Sequence, residues 1–252
     1  MEGMIQMPFI QMGLALVILT ILYVRMIRRE TPEQISRPQA ILPVVFGAVA
    51  TPLSFVLFLL MGSLLLQLGL NVGELPGFPR ALIQSLFGAG IPEEIAKMAL
   101  LLLTLLIFRS RIRNVYEYML AGAGIGFGFT LLEEFIYGSD GLAALGRLIT
   151  IGAHMIFGIL MARHLGLAAC RRAAGQGGAA KHYALALLVP MVIHTVYDAL
   201  TVHNWLMDDP KEELQIVGIL LAILAMVGLF VLQFLVLRRL RKNADKYIAL
   251  QK

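Results

Sequence analysis

The sequence is poor in the residues that keep a soluble domain in water. Charged residues make up 15% of its 252 positions, against about a quarter in a typical soluble domain. Cysteine occurs once, at Cys170, which excludes an intramolecular disulfide and every Cys-x-x-Cys zinc or redox spacing. Neither G-x-S-x-G nor H-E-x-x-H occurs, so the nucleophile elbow and the zincin helix are both missing. There is no low-complexity tract and no internal repeat. What is abundant is apolar: 59% of the residues, with a mean hydropathy of +0.81. That composition implies lipid as the solvent.

A membrane-spanning helix needs about 20 predominantly apolar residues. The sequence predicts an all-α, polytopic bundle of about seven spans, near 7–24, 40–70, 81–108, 119–137, 145–165, 183–202 and 214–237. The length suits a single integral membrane domain, 1–252, with its core near 81–203 and three flanking spans. The second and third runs are long enough to kink, and Pro43, Pro52 and Pro92 mark the places. Gly122, Gly124, Gly126 and Gly128 form two overlapping GxxxG patterns in the fourth run, which reads as close helix packing.

The net charge of +5 does not point to nucleic acid once its distribution is considered. One set of segments carries Arg25, Arg28, Arg29, Arg37, Arg109, Arg111, Arg113, Arg163, Arg171, Arg172, Lys181, Arg238, Arg239, Arg241, Lys242, Lys246 and Lys252. The opposite side has Arg80, Arg147 and Lys211. This asymmetry follows the positive-inside rule. It predicts an extracytoplasmic N-terminus, a cytoplasmic C-terminus and a first span that is not a cleaved signal peptide. It also places Cys170 in a cytoplasmic loop, and lets Glu117 and Arg163 snorkel from span ends.

Against this apolar background stand Glu93, Glu94, Lys97, Glu133, Glu134, His154, His194 and Asp198, all inside spans. Placing five acids and a lysine there costs on the order of 15 kcal/mol if each stands alone, so such groups face a cavity or one another. Lys97 lies four residues after Glu93 and three after Glu94, within reach of both. His194 and Asp198 share a helix face, as do Glu133 and Tyr137. By the helical rise, Glu93 and Glu94 lie roughly 18–20 Å below the outer end of their span, and His154 and His194 about 13 Å. Four helices thus bring polar groups to the outer half or middle of the bilayer, around a cavity opening outward. His164, His182 and His203, at span ends, read as interfacial.

Adjacent carboxylates in a low dielectric do not both ionise easily, so one of them can take a proton from water near neutral pH. Histidines opposite can donate hydrogen bonds to a developing oxyanion. These are the parts for water attack on an amide without a covalent intermediate. Two histidines and a glutamate can equally hold zinc with one open position, and the spacing does not choose between the two. A proton-coupled transporter uses similar acid and histidine relays, although no repeat supports that reading. A scaffold binding a prenyl chain or a partner helix would not need the carboxylates.

Four motifs carry a resemblance to a known family. Pro92-Glu93-Glu94-Ile95-Ala96-Lys97 resembles the E-E-x-x-K motif of PrsW-type intramembrane proteases, and the run from Gly126 to Tyr137 resembles their Gly/Phe-rich E-N-x-x-Y motif. Arg147 through His154 to Gly158 resembles the histidine-bearing third motif, and His194-Thr195-Val196-Tyr197-Asp198 the fourth, H-x-x-x-D. They occur in this order on four consecutive spans. The family is related to the CAAX-processing and bacteriocin-processing membrane proteases.

The resemblance implies that Glu93 and Glu94 activate water, His154 and His194 assist, and Glu133 and Asp198 support them. It implies no required cofactor, with zinc the alternative. The partners it implies are the lipid bilayer and a membrane-anchored protein substrate such as an anti-sigma factor, cut near the extracytoplasmic side of a bacterial or archaeal cell membrane. Where the family has Asn after the second-motif Glu, this chain has Glu134, whose role the sequence does not assign.

Overall fold

In lipid a chain must satisfy every backbone N–H and C=O within itself, which long apolar runs do by becoming helices. The computed structural model describes residues 2–29, 34–136, 141–207 and 209–251. Its helices are α1 (Glu2–Ile27), α2 (Arg37–Gln67), α3 (Gly77–Ser85), α4 (Ile91–Ile107), α5 (Val115–Ile136), α6 (Gly141–Thr150), α7 (Ala153–Ala173), α8 (Ala179–Leu200), α9 (Glu212–Lys242) and α10 (Ala244–Ala249). No strand occurs among the described residues; Asn114 and Gln251 form an isolated bridge.

Five stretches are long and apolar enough to cross a membrane: α2, α5, Gly146–Ala173, α8 and α9. They mark the chain as an integral membrane protein. The two other expected spans differ from these for separate reasons. The described apolar part of α1 is the shorter Gly13–Ile27. The third expected span is divided into α3 and α4 by a π-helical turn at Leu86–Gly90. Pro92 explains the division, because proline cannot donate to the carbonyl four residues back and its ring clashes with it. The wide turn relieves that conflict and starts α4 directly before Glu93. Pro43 and Pro52, by contrast, lie inside a continuous α2.

The helices sort by burial. In α5 and the Gly146–Ala173 stretch, 72% and 78% of the apolar window is covered, against 22% in α2 and 17% in α9. The first two form the centre of the bundle, and the other two turn apolar faces outward, including Phe55, Leu59 and Leu60 on α2 and Leu220, Leu224 and Phe234 on α9. Small residues allow the central crossings. Gly126 lies directly against the backbone of His154 and Met155, and Gly128 against Val44 and Ala48 of α2, leaving no room for a Cβ at either position. The first of these contacts fixes how far α7, and with it His154, stands from α5.

The end of the chain folds back on the bundle. The Leu250 carbonyl accepts from Val115 N and Cys170 Sγ at 3.1 and 3.3 Å, and Asp245 pairs with Arg29. Three expectations change here. Cys170 lies within α7, half-buried, rather than in a loop. Glu117 is buried and accepts from Arg113 N at 2.6 Å, in the manner of a helix-start cap. Arg163 does not simply snorkel: its Nε is buried, and its guanidinium faces the Tyr247 ring at 5.9 Å.

Candidate active site

The π turn and Pro92 place Glu93, Glu94 and Lys97 on the first turns of α4, facing the central helices. Glu94 and Lys97 are fully buried, whereas the Glu93 side chain keeps 17% exposure. An uncompensated charge there would be prohibitive, and each group finds a partner. Lys97 Nζ donates to Glu94 Oε1 at 2.8 Å and to Glu93 Oε2 at 3.2 Å. The expected intrahelical pairing is therefore made to both carboxylates. Nζ also lies 2.8 Å from His154 Nδ1 on α7 and 4.0 Å from the Phe129 ring centre.

An ammonium has no lone pair, so His154 Nδ1 must accept, and the ring proton sits on Nε2. That nitrogen is 2.5 Å from Glu133 Oε2 on α5. From α8, His194 Nδ1 is 3.0 Å from Glu94 Oε1, and its Nε2 is 3.4 Å from Asp198 Oδ2 and 3.8 Å from Glu93 Oε2. The two imidazoles pack edge to face, with centroids 5.3 Å apart, walled by Phe129 and Phe157. His154 thus turns Nδ1 toward Lys97 and Nε2 toward Glu133, whereas His194 turns Nδ1 toward Glu94 and Nε2 toward both Asp198 and Glu93.

All six residues singled out from the sequence, Glu93, Glu94, Glu133, His154, His194 and Asp198, meet in this one cluster. Glu134 has a partner that spacing alone did not reveal. Arg147 of α6 holds it bidentately, donating from Nη2 to Oε1 at 2.8 Å and from Nε to Oε2 at 3.3 Å, and also reaches Glu133 at 3.4 Å. The sequence marks Arg147 as one of three basic residues on its side of the chain and as the start of the third-motif stretch, but assigns it no partner. Tyr137 lies outside the described residues. His164 and His182 are not part of the site; they meet each other, with Nδ1 atoms 3.0 Å apart.

The donor set is suited to a divalent metal. Glu93, Glu94, His154 and His194 each offer one ligand atom, all within 4.8 Å of one another. The carboxylates behind both histidines are the usual outer partners of metal-bound imidazoles. Glu94 Oε2 is buried and has no hydrogen-bond partner among the described residues. One feature complicates the fit: the Lys97 ammonium already stands among these donors.

Comparison with known proteins bears on the same stretch of chain. A sequence profile described as "PrsW family intramembrane metalloprotease" matches residues 37–235, from α2 into α9. A curated relative, Protease PrsW of Halalkalibacterium halodurans, is 31% identical over 88 residues. That match covers 34% of this chain, and the chain spans only 39% of the relative's length. No solved structure matches.

Proposed function

Because the chain belongs to the PrsW family of intramembrane metalloproteases, we propose that it is an intramembrane endopeptidase that hydrolyses a peptide bond of a membrane-anchored protein. The observation that carries this reading is the unequal pair on α4: Glu94 is locked between Lys97 and His194, whereas Glu93 is partly open. Glu93 is the general base. It takes a proton from water as the water oxygen bonds to the scissile carbonyl carbon, and gives it to the amide nitrogen as the C–N bond breaks. His194 Nε2, facing Glu93 across 3.8 Å, donates to the oxyanion. Asp198 orients that ring, and Glu133 orients His154. A divalent ion held by Glu93, Glu94, His154 and His194 would polarise the carbonyl and make its bound water more acidic.

The membrane arrangement belongs to the same proposal. Seven crossings run through α1, α2, the α3–α4 tandem, α5, α7, α8 and α9, in one domain whose core is near 81–203. The N-terminus is extracytoplasmic and the C-terminus cytoplasmic in a bacterial or archaeal cell membrane. The substrate, an anti-sigma factor or a protein of similar anchoring, is cut near the outer side.

The test is cleavage of a membrane-anchored substrate by purified enzyme in liposomes. Glu93→Gln and His194→Ala are each expected to lower kcat at least 100-fold while the protein still inserts. Retained cleavage in both Glu93→Gln and Glu94→Gln would overturn the proposal. Full activity after exhaustive chelation would remove metal from it.

A further inference from the structure

We infer that Lys97 is a built-in cation in the metal's place: ammonium and divalent ion are alternative occupants of one site, and Lys97 sets how tightly a metal binds. The charges frame the case. Glu93, Glu94, Glu133 and Asp198 surround the two histidines, Glu134 lies beside Glu133, and among the described residues Lys97 and Arg147 are the fixed cations paired with this set. Arg147 is engaged by Glu134 and Glu133. Lys97 is therefore the fixed cation that serves Glu93 and Glu94.

Its position decides the rest. Nζ contacts three of the four residues of the donor set, at 2.8 Å from Glu94 Oε1, 2.8 Å from His154 Nδ1 and 3.2 Å from Glu93 Oε2. A ring nitrogen has one lone pair, and the lone pair on His154 Nδ1 is committed to Lys97. A metal would need that same lone pair at about 2.0–2.1 Å, which the ammonium blocks both sterically and by charge. Everything else a metal requires is in place: four donors, a carboxylate behind each histidine, and a Glu94 oxygen without a hydrogen-bond partner among the described residues. A metal can enter only as the flexible lysine stem carries Nζ away.

The experiment is a cobalt(II) titration of chelator-stripped protein in detergent, read by the visible absorption of the bound ion. It needs no substrate, so its outcome is independent of the peptidase proposal. Lys97→Met is expected to bind cobalt at least tenfold more tightly than the unaltered chain. Removing one member of a buried ion pair can prevent folding, so Glu93→Gln and the double variant Lys97→Met/Glu93→Gln form a second comparison. The double variant loses one charge of each sign, and it too is expected to bind at least tenfold more tightly than Glu93→Gln. Should Lys97→Met fold only when cobalt is supplied, that rescue supports the same conclusion. The inference fails if the unaltered chain binds within threefold of Lys97→Met. It also fails if neither Lys97 variant binds cobalt, or if Lys97→Met stays unfolded with metal and the double variant shows no gain.

Discussion

Arg147 and Glu134 show what a single residue contributes here. Two consecutive glutamates lie in the last turn of α5; His154 uses Glu133, and Glu134 is taken up by Arg147. Arg147 also touches Glu133, so it ties the short helix α6 to the carboxylate that orients His154. Removing Arg147 leaves Glu134, 4% exposed, without its cation. Arg147→Met should destabilise the protein by roughly 1–3 kcal/mol, less than a fully buried pair would lose, because Arg147 keeps some contact with solvent. Glu134→Gln, which still accepts from the guanidinium, should lose less than about 1 kcal/mol. Thermal unfolding of the two variants in the same detergent checks this ordering, and an equal loss in both would contradict it.

Between helices, the deciding feature is how closely backbones approach. Gly126 has the His154 backbone where its Cβ would lie, whereas Gly228 on α9 has nothing within 4 Å. Gly126→Ala must push α7 away and carry His154 with it, at a cost of about 1–3 kcal/mol. Because Glu133 and Lys97 hold that ring at 2.5 and 2.8 Å, kcat should fall by more than tenfold. Gly228→Ala gains helix propensity without a clash, so it should leave Tm and kcat unchanged or raise Tm slightly. Loss of activity in the Gly228 variant equal to that in the Gly126 variant would show that the α5–α7 contact is not what sets the site.

At the scale of the whole molecule, the arrangement in the bilayer and the folded-back C-terminal segment are the testable features. In a Cys170→Ser background, single cysteines introduced at Lys211 and at Arg172 should be labelled by a membrane-impermeant reagent from opposite faces of a sealed vesicle. Labelling from the same face would refute the proposed crossings of α8. Truncation after Lys242 removes the Leu250 carbonyl that Val115 and Cys170 share, together with the Asp245 partner of Arg29. It should lower Tm by several degrees while leaving cobalt binding within threefold, since none of these contacts reaches α4 or α8.

The sequence by itself determined the solvent, the all-helical class and the ionisable residues that the fold then brings together. Apolar run length, charge asymmetry and ionisable residues inside spans are properties of local sequence, and helical spacing reports neighbours three or four residues apart. Glu93–Lys97 and His194–Asp198 were legible for that reason, and so was a helix start at Pro92. Only the tertiary structure decided which face of each helix meets which. It brought Lys97 to His154, 57 residues away, gave Glu134 to Arg147, and moved Cys170 and Glu117 out of the environments their positions suggested. The rotation and separation of packed helices depend on interhelical contacts such as Gly126 against His154, which no periodicity within one helix encodes. That same packing set the Lys97 ammonium among four residues able to ligate a metal, and so turned a list of buried charges into one cluster with a cation of its own.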